Sequence, residues 1–277
     1  MDRNALLIAG DRNLAQVLRH GARTTPDGAL DDDGRLLLVS TSRSWPGPYH
    51  NGALRLDRSL EAGEVLARAG AFFAGRCPGY CVWIAAHTDS DLEDVAVAAG
   101  LVPVSTAGGP RMALEHGLSD SGAVPGVGLG EVTDEAGRLA YLAVTVAAYD
   151  EVALPARAAE TQLARVAALR APGVRSVVAY DALRPVGAAM VVVAAGVAGI
   201  QLVGTVPDAR GRGIGELCTR WAVNEGFRLG ASAAVLEASE QGEPLYRRMG
   251  FVEVSRYRWC FGSAGPVLGN GGREAPP

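Results

Sequence analysis

The feature that most constrains this chain is the run Val203-Gly204-Thr205-Val206-Pro207-Asp208-Ala209-Arg210-Gly211-Arg212-Gly213-Ile214-Gly215. An apolar strand-like segment stops at a proline, passes through a turn with glycines at alternate positions, and opens into a helical pattern. Glycines at 211, 213 and 215 let backbone N–H groups approach an anion closely, and the start of a helix adds its positive dipole end. Each N–H to a phosphate oxygen is a charge-assisted bond worth about 1.5–3 kcal/mol. Arg210 and Arg212 add positive charge, so a diphosphate fits the turn.

Two common phosphate motifs do not fit it as well. A nucleotide-hydrolysing loop ends in Gly-Lys-Ser or Gly-Lys-Thr, and this chain has no lysine; all 26 of its basic residues are Arg. A dinucleotide fingerprint needs Gly-x-Gly-x-x-Gly directly after the strand and an acid about 20 residues on. Gly211 and Gly213 fit its start and Glu237 ends the next strand, but Glu216 takes the place of the third glycine and residues 207–210 intervene.

At 277 residues the chain is too long for one ordinary domain. A Gly/Ser-rich polar stretch near residues 115–126 divides it, giving units at 1–118 and 127–261, a linker at 119–126 and a poorly ordered tail at 262–277. In the second unit the periodicity predicts strands at 127–132, 176–180, 186–194, 199–206, 233–238 and 252–261. Helices fall at 135–150, 156–169, 213–229 and 243–249, with Pro155 at a helix start. The first unit carries a fainter copy of this ending: a helix at 60–74, a strand at 80–86, a helix at 91–99 and Gly100-Leu101-Val102-Pro103-Val104. It parallels Gly250-Phe251-Val252-Glu253-Val254, so an internal duplication is expected. Aligning the glycines sets Ala96 where the second copy has Tyr246, and no Gly and Arg turn precedes residue 80.

The turn at Arg210, Gly213 and Gly215, together with Gly242-Glu243-Pro244-Leu245-Tyr246-Arg247-Arg248-Met249-Gly250-Phe251 one helix and one strand later, resembles the GNAT superfamily of acyl-CoA-dependent N-acyltransferases. The resemblance covers residues 127–261. It implies an α/β fold of two GNAT-like domains, each a mixed, mostly antiparallel sheet flanked by helices, the first domain degenerate. It further implies acetyl-CoA as co-substrate. The backbone at Gly204, Thr205 and Val206 would pair with the pantetheine arm, and the amides of Gly211, Arg212, Gly213, Ile214 and Gly215, beside Arg210, would hold the pyrophosphate. Ser239, where many members have Asn, would flank the arm, and Tyr246 would protonate the departing thiolate.

The chemistry asks for the same parts: a neutral amine attacking a thioester, a backbone donor for the oxyanion, and a proton for the thiolate. All four histidines lie at or before residue 116, so a C-terminal site is expected to work without one. Glu237, in the otherwise apolar strand Ala-Ala-Val-Leu-Glu-Ala-Ser and on the same face as Ser239, is the carboxylate best placed to accept a proton, directly or through water. The expected activity is acetyl transfer to an amine of a small molecule or peptide by direct attack; a catalytically silent CoA-binding sensor or interaction module is the alternative.

Charge and cysteine usage exclude other classes. Neither half is basic, with 11 Arg against 14 acids up to residue 118 and 15 against 16 after it, so no nucleic-acid partner is expected. Cys77 and Cys81 lack the usual zinc spacing and, with Cys218 and Cys260, read as small buried hydrophobes; no metal is expected. The first residues lack the features of a signal peptide, and the longest apolar run, at 186–200, is too short to span a bilayer. The expectation is a cytoplasmic protein, monomeric or homodimeric.

Overall fold

The computed structural model describes residues 1–104, 108–119, 123–150 and 154–264. The N-terminal half runs α1 (Arg3–Thr24), β1 (Ala29–Asp32), β2 (Leu36–Ser40), β3 (Asn51–Arg55), α2 (Ala62–Phe73), β4 (Gly79–Ala85), α3 (Ser90–Ala98), β5 (Val102–Pro103) and β6 (Gly109–Leu114). The C-terminal half runs β7 (Val127–Glu131), α4 (Glu135–Tyr149), α5 (Ala156–Gln162), α6 (Val166–Leu169), β8 (Val174–Asp181), β9 (Arg184–Ala194), β10 (Val197–Thr205), α7 (Ile214–Arg228), β11 (Ala233–Glu237), α8 (Glu243–Arg248) and β12 (Val252–Ser263). Each segment assigned from periodicity in the C-terminal half forms, with ends shifted by a few residues, save one. The helix expected over 156–169 is broken into α5 and α6, because Arg165 is extended. The break lets Leu163 and Leu169 both reach the core.

Each half is a mixed, mostly antiparallel sheet. In the first, β1, β2 and β3 are antiparallel and β3 to β4 is parallel; in the second, β7 to β10 are antiparallel and β10 to β11 is parallel. The halves are joined by a reciprocal exchange of their last strands. β6 of the first half lies between β11 and the early part of β12, and the late part of β12 pairs with β4 and β5 of the first half. The result is one continuous sheet of 12 strands in the order β1-β2-β3-β4-β12-β6-β11-β10-β9-β8-β7, with β5 on β12.

Side-chain packing follows the exchange. Met112 and Leu114 of β6 and Val17 of α1 belong to the main C-terminal core. Trp83 of β4, fully buried, meets Tyr49, Tyr257 and Trp259 edge-on at 5.0, 5.4 and 5.5 Å, and such pairs add about 0.5–1.5 kcal/mol beyond area burial. Helix α1 also crosses the join. Its buried Asn13 donates through Nδ2 to the carbonyls of Val192 (2.8 Å) and Val197 (3.0 Å), closing the β9–β10 turn from the other half. Gly199 is required there, since a Cβ would lie 2.0 Å from Asn13 Oδ1. No helix among the described residues is long and apolar enough to cross a membrane.

With a strand from each half inside the other's sheet, neither can unfold alone without exposing the partner's core. The expected outcome is a single cooperative calorimetric transition, with the calorimetric and van't Hoff enthalpies equal. Two resolved transitions would show that the exchange does not couple the halves.

Candidate functional site

The parallel ladder between β10 and β11 holds only at Val197↔Ala233, Ala198↔Ala234 and Gly199↔Val235. Beyond it the strands part, and a cavity of ≈ 430 Å³ opens between Ile200, Gln201, Leu202 and Val203 on one side and Leu236, Glu237 and Ser239 on the other. β10 is bulged there: its register against β9 shifts between Gln201 and Gly204, and Leu202 adopts a positive φ of 49°. Two tyrosines of α4 hold the bulge, Tyr149 Oη donating to Val203 O at 2.9 Å and Tyr141 Oη to Leu202 O at 3.4 Å.

The glycine turn follows β10 directly. Pro207–Ala209 makes a 3₁₀ turn, Gly211 and Gly213 have φ of 77° and 84°, and Gly213 is the N-cap of α7. A side chain at either is strained by its φ, whatever the space around it. The first bond back across the start of α7 runs from Leu217 N–H to Gly213 O, so the amides before it face outward without an intrahelical acceptor. The two arginines are less mobile than the sequence suggests. Arg212 is paired with Asp181 at 2.7 Å, and Arg210 donates to Thr205 O and Ala148 O at 3.4 and 3.3 Å, tying the turn to α4.

Tyr246 of α8 lines the same cavity, with its ring edge-on to Phe251 at 5.8 Å. Burial pushes its phenol up to about 12, so the proton stays on it at neutral pH. Gly242 leaves room for the ring, since a Cβ there would lie 2.9 Å from Tyr246 Cε2. Ser239 also lines the cavity, but its hydroxyl oxygen is engaged by the Gly242 N–H at 3.1 Å, starting α8.

Glu237 is brought to the cavity and is held across the join. Its Oε1 accepts from Arg111 Nη2 (2.6 Å) and Nε (3.0 Å), and its Oε2 accepts from Tyr49 Oη at 3.3 Å. Arg111, on β6 and 1% exposed, is the direct register partner of Glu237, and its Nη1 also donates to Asp11 Oδ1 at 2.6 Å. The guanidinium lies over the Tyr257 ring at 4.4 Å. Asp11 further accepts from Tyr257 Oη at 2.5 Å, and the His87 ring bridges it at 2.9 Å to Ser255 Oγ at 2.7 Å. Burial alone would raise the Asp11 carboxyl, but the His87 hydrogen bond, the Arg111 charge and the Tyr257 hydroxyl outweigh it and hold the carboxyl below its usual range.

Two histidines reach the cavity although all four lie at or before residue 116. His20 and His50 of the N-terminal half line the cavity, beside Trp45, Tyr49 and Trp259. Burial lowers His50 to about 4, which leaves it neutral and a poor proton acceptor at pH 7. Residues 45–50 form a Pro/Gly-rich loop with three aromatic side chains, Trp45, Tyr49 and His50, between two apolar strands. That density of rings in a rigid loop was the available signal. The first half has no counterpart of the glycine turn. Asp57 Oδ1 caps Ser59 N–H after β3, and the region is occupied by Arg55, whose side chain is 1% exposed and pairs with Asp89 and Asp91 at 2.7 Å each. All four cysteines are buried and free, and no group of three or more metal-binding side chains occurs among the described residues.

Residues 172–253 match the acetyltransferase (GNAT) domain family model. Among solved structures the chain is similar to a GCN5-related N-acetyltransferase from Kribbella flavida, with 22% identity, a TM-score of 0.69, and 92% of this chain and 96% of that one covered. It is similar also to a GCN5-related N-acetyltransferase from Sphaerobacter thermophilus, at 18% identity and TM-score 0.62, covering 87% and 84%. A tandem GNAT protein from the clavulanic acid biosynthesis pathway, described as without AcCoA, aligns at 16% identity and TM-score 0.56 over 96% and 98%. No curated protein matches the chain. The glycine turn, β11 and Tyr246 all fall inside the matched region, and the fold is that of tandem GNAT proteins.

Because the folded Asp11 carboxyl titrates below its unfolded value, its contribution to stability is present above the unfolded value near 3.8 and is lost as pH falls through the folded one. Asp11→Asn removes that acid-sensitive contribution. Chemical denaturation of both forms should give a difference that shrinks as pH is lowered below about 4; a constant difference would contradict the role of the charge.

Proposed function

We propose that this chain, a tandem GNAT fold with a GNAT domain in its C-terminal half, transfers an acetyl group from acetyl-CoA to the amine of a small molecule or peptide. The observation that carries this reading is the convergence of Tyr246, Glu237 and the bulge of β10, the strand that leads into the glycine turn, on one cavity. The matched family supports acyl transfer in general. Acetyl-CoA would supply the thioester, and the chain's own groups fit such a donor.

The amides at Gly211, Arg212, Gly213, Ile214 and Gly215, with Arg210, would hold the diphosphate. Ser239 lines the cavity and Gly204, Thr205 and Val206 follow its lining segment 200–203 directly in the chain; an extended arm between them would pair its polar groups with strand backbone. A backbone N–H at the bulge would stabilise the charge that develops on the carbonyl oxygen, since the bulge takes Leu202 and Val203 out of the ladder with β9. Tyr246, protonated at neutral pH, would donate to the leaving sulfur. Glu237 Oε2 would take the proton of the attacking amine, directly or through water, while Arg111 fixes Oε1. Residues 127–261 are then the donor-binding unit, 119–126 its connection, and 1–118 a unit that binds no acyl donor and forms the acceptor wall; of the tail expected at 262–277, Gly262 and Ser263 end β12 and the part beyond 264 lies outside the described residues.

Tyr246→Phe keeps the ring against Phe251 and removes the proton. Single-turnover acetylation should fall by about 10²–10⁴ with CoA affinity little changed; an unchanged rate rules the acid role out. Tight CoA binding without turnover on a broad amine panel would instead assign the chain to CoA sensing.

Titration calorimetry should give one CoA per chain, abolished or weakened in Gly213→Val because φ is 84° there. Two CoA per chain would show that the first half retains a donor site despite the Arg55 cluster.

A further inference from the structure

The cavity lined by Tyr246 and Glu237 is bordered by a second one. This outer cavity, ≈ 910 Å³, is lined by residues that include Arg43, Arg76, Arg157, Ser44, Thr161 and Asp27. Sequence neighbours divide between the two spaces: Trp45 lines the inner and Ser44 the outer, and Gln162 the inner and Thr161 the outer. The turn that separates them is held by Ser42 Oγ, which accepts from the Trp45 N–H at 3.0 Å.

The two spaces differ in charge. In the inner one Glu237 is the sole carboxylate among the lining residues, and no arginine lines it. Behind Glu237, Arg111 is shared with Asp11, so two carboxylates face one guanidinium. The outer one has three arginines against the single acid Asp27, in a chain that as a whole has 30 acids to 26 arginines. Arg76 is steadied there, its guanidinium 4.5 Å from the Phe72 ring centroid and donating to Phe72 O. An inner acid and an outer basic cluster in adjoining cavities match a molecule with an ammonium at one end and an anion at the other.

We propose that the acceptor is an amine bearing a distal carboxylate or phosphate, the amine lying beside Glu237 and the anion among Arg43, Arg76 and Arg157. This rests on the acetyltransferase reading and names its substrate class. The arginines act only in binding, so they set KM and selectivity and leave the acyl-transfer step alone. Exposed cations are screened by salt, and the preference weakens as ionic strength rises.

The test is calorimetry on the full chain, with and without CoA, using ω-aminocarboxylates, ω-aminoalkyl phosphates and the matching amino alcohols. The anionic compounds should bind about tenfold or more tightly than the alcohols, and whichever anion binds tighter identifies the group. Combining Arg43→Ala with Arg157→Ala, both at exposed positions, should erase that gap while leaving alcohol affinity and the thermal midpoint unchanged. Equal affinity for alcohols and anions in the wild type, or an equal loss for both in the double variant, overturns the proposal. Binding is read here without turnover. Anion-selective binding with no acetylation of any amine would therefore sink the transferase reading alone, and acetylation of both classes at equal kcat/KM would sink this inference alone.

Discussion

A buried guanidinium has to be paired, and Arg111 is paired twice, with Asp11 of α1 and Glu237 of β11. Removing Arg111 would leave the buried Glu237 carboxylate without its cation, a cost of about 3–5 kcal/mol for buried pairs. The pairing therefore acts mainly on specificity of structure. Arg111 and Glu237 are opposite each other in the β6–β11 ladder, and a slip of one residue would turn Arg111 to the other face of the sheet. The same contact fixes the register of the exchanged strand, the position of α1 and the direction in which Glu237 presents its second oxygen. Fold and site share one constraint.

How much of this was legible depended on whether the signal was local. The glycine turn, the Leu-Tyr segment and the strands from 127 to 261 were readable, because each is written in a short window by periodicity and turn chemistry. The first three strands and α1 were not assigned. α1 has Asn13 on its buried face and Gly10 and Asp11 just before it, and these polar positions make sense only against β9, β10 and Arg111. β6 reads Gly-Pro-Arg-Met-Ala-Leu and adjoins the linker. Its strand character comes from two neighbours more than a hundred residues away.

The same distinction divides the site. The glycine turn lies in one window of sequence with the strand before it and the helix after it. The cavity is lined from α1, the loop at 45–50, α4, α5 and strands of the C-terminal half, so no window of sequence contains it. Glu237 lines the cavity, but the sequence was silent about Arg111, since charge pairing across an exchange leaves no spacing to detect. Two N-terminal histidines line the same cavity, because chain position and spatial position come apart where the halves interlock.

The exchange also governs how the molecule can be made. During synthesis the first half emerges with β4 finished but its neighbour in the sheet, residues 257–263 of β12, still to be translated. An apolar strand with an open edge is thus exposed for most of the time the ribosome spends on the remaining chain, and such edges recruit other chains. Maturation must wait for the last strand, and a nascent chain of this topology depends on reaching its end, or on chaperone shielding until it does.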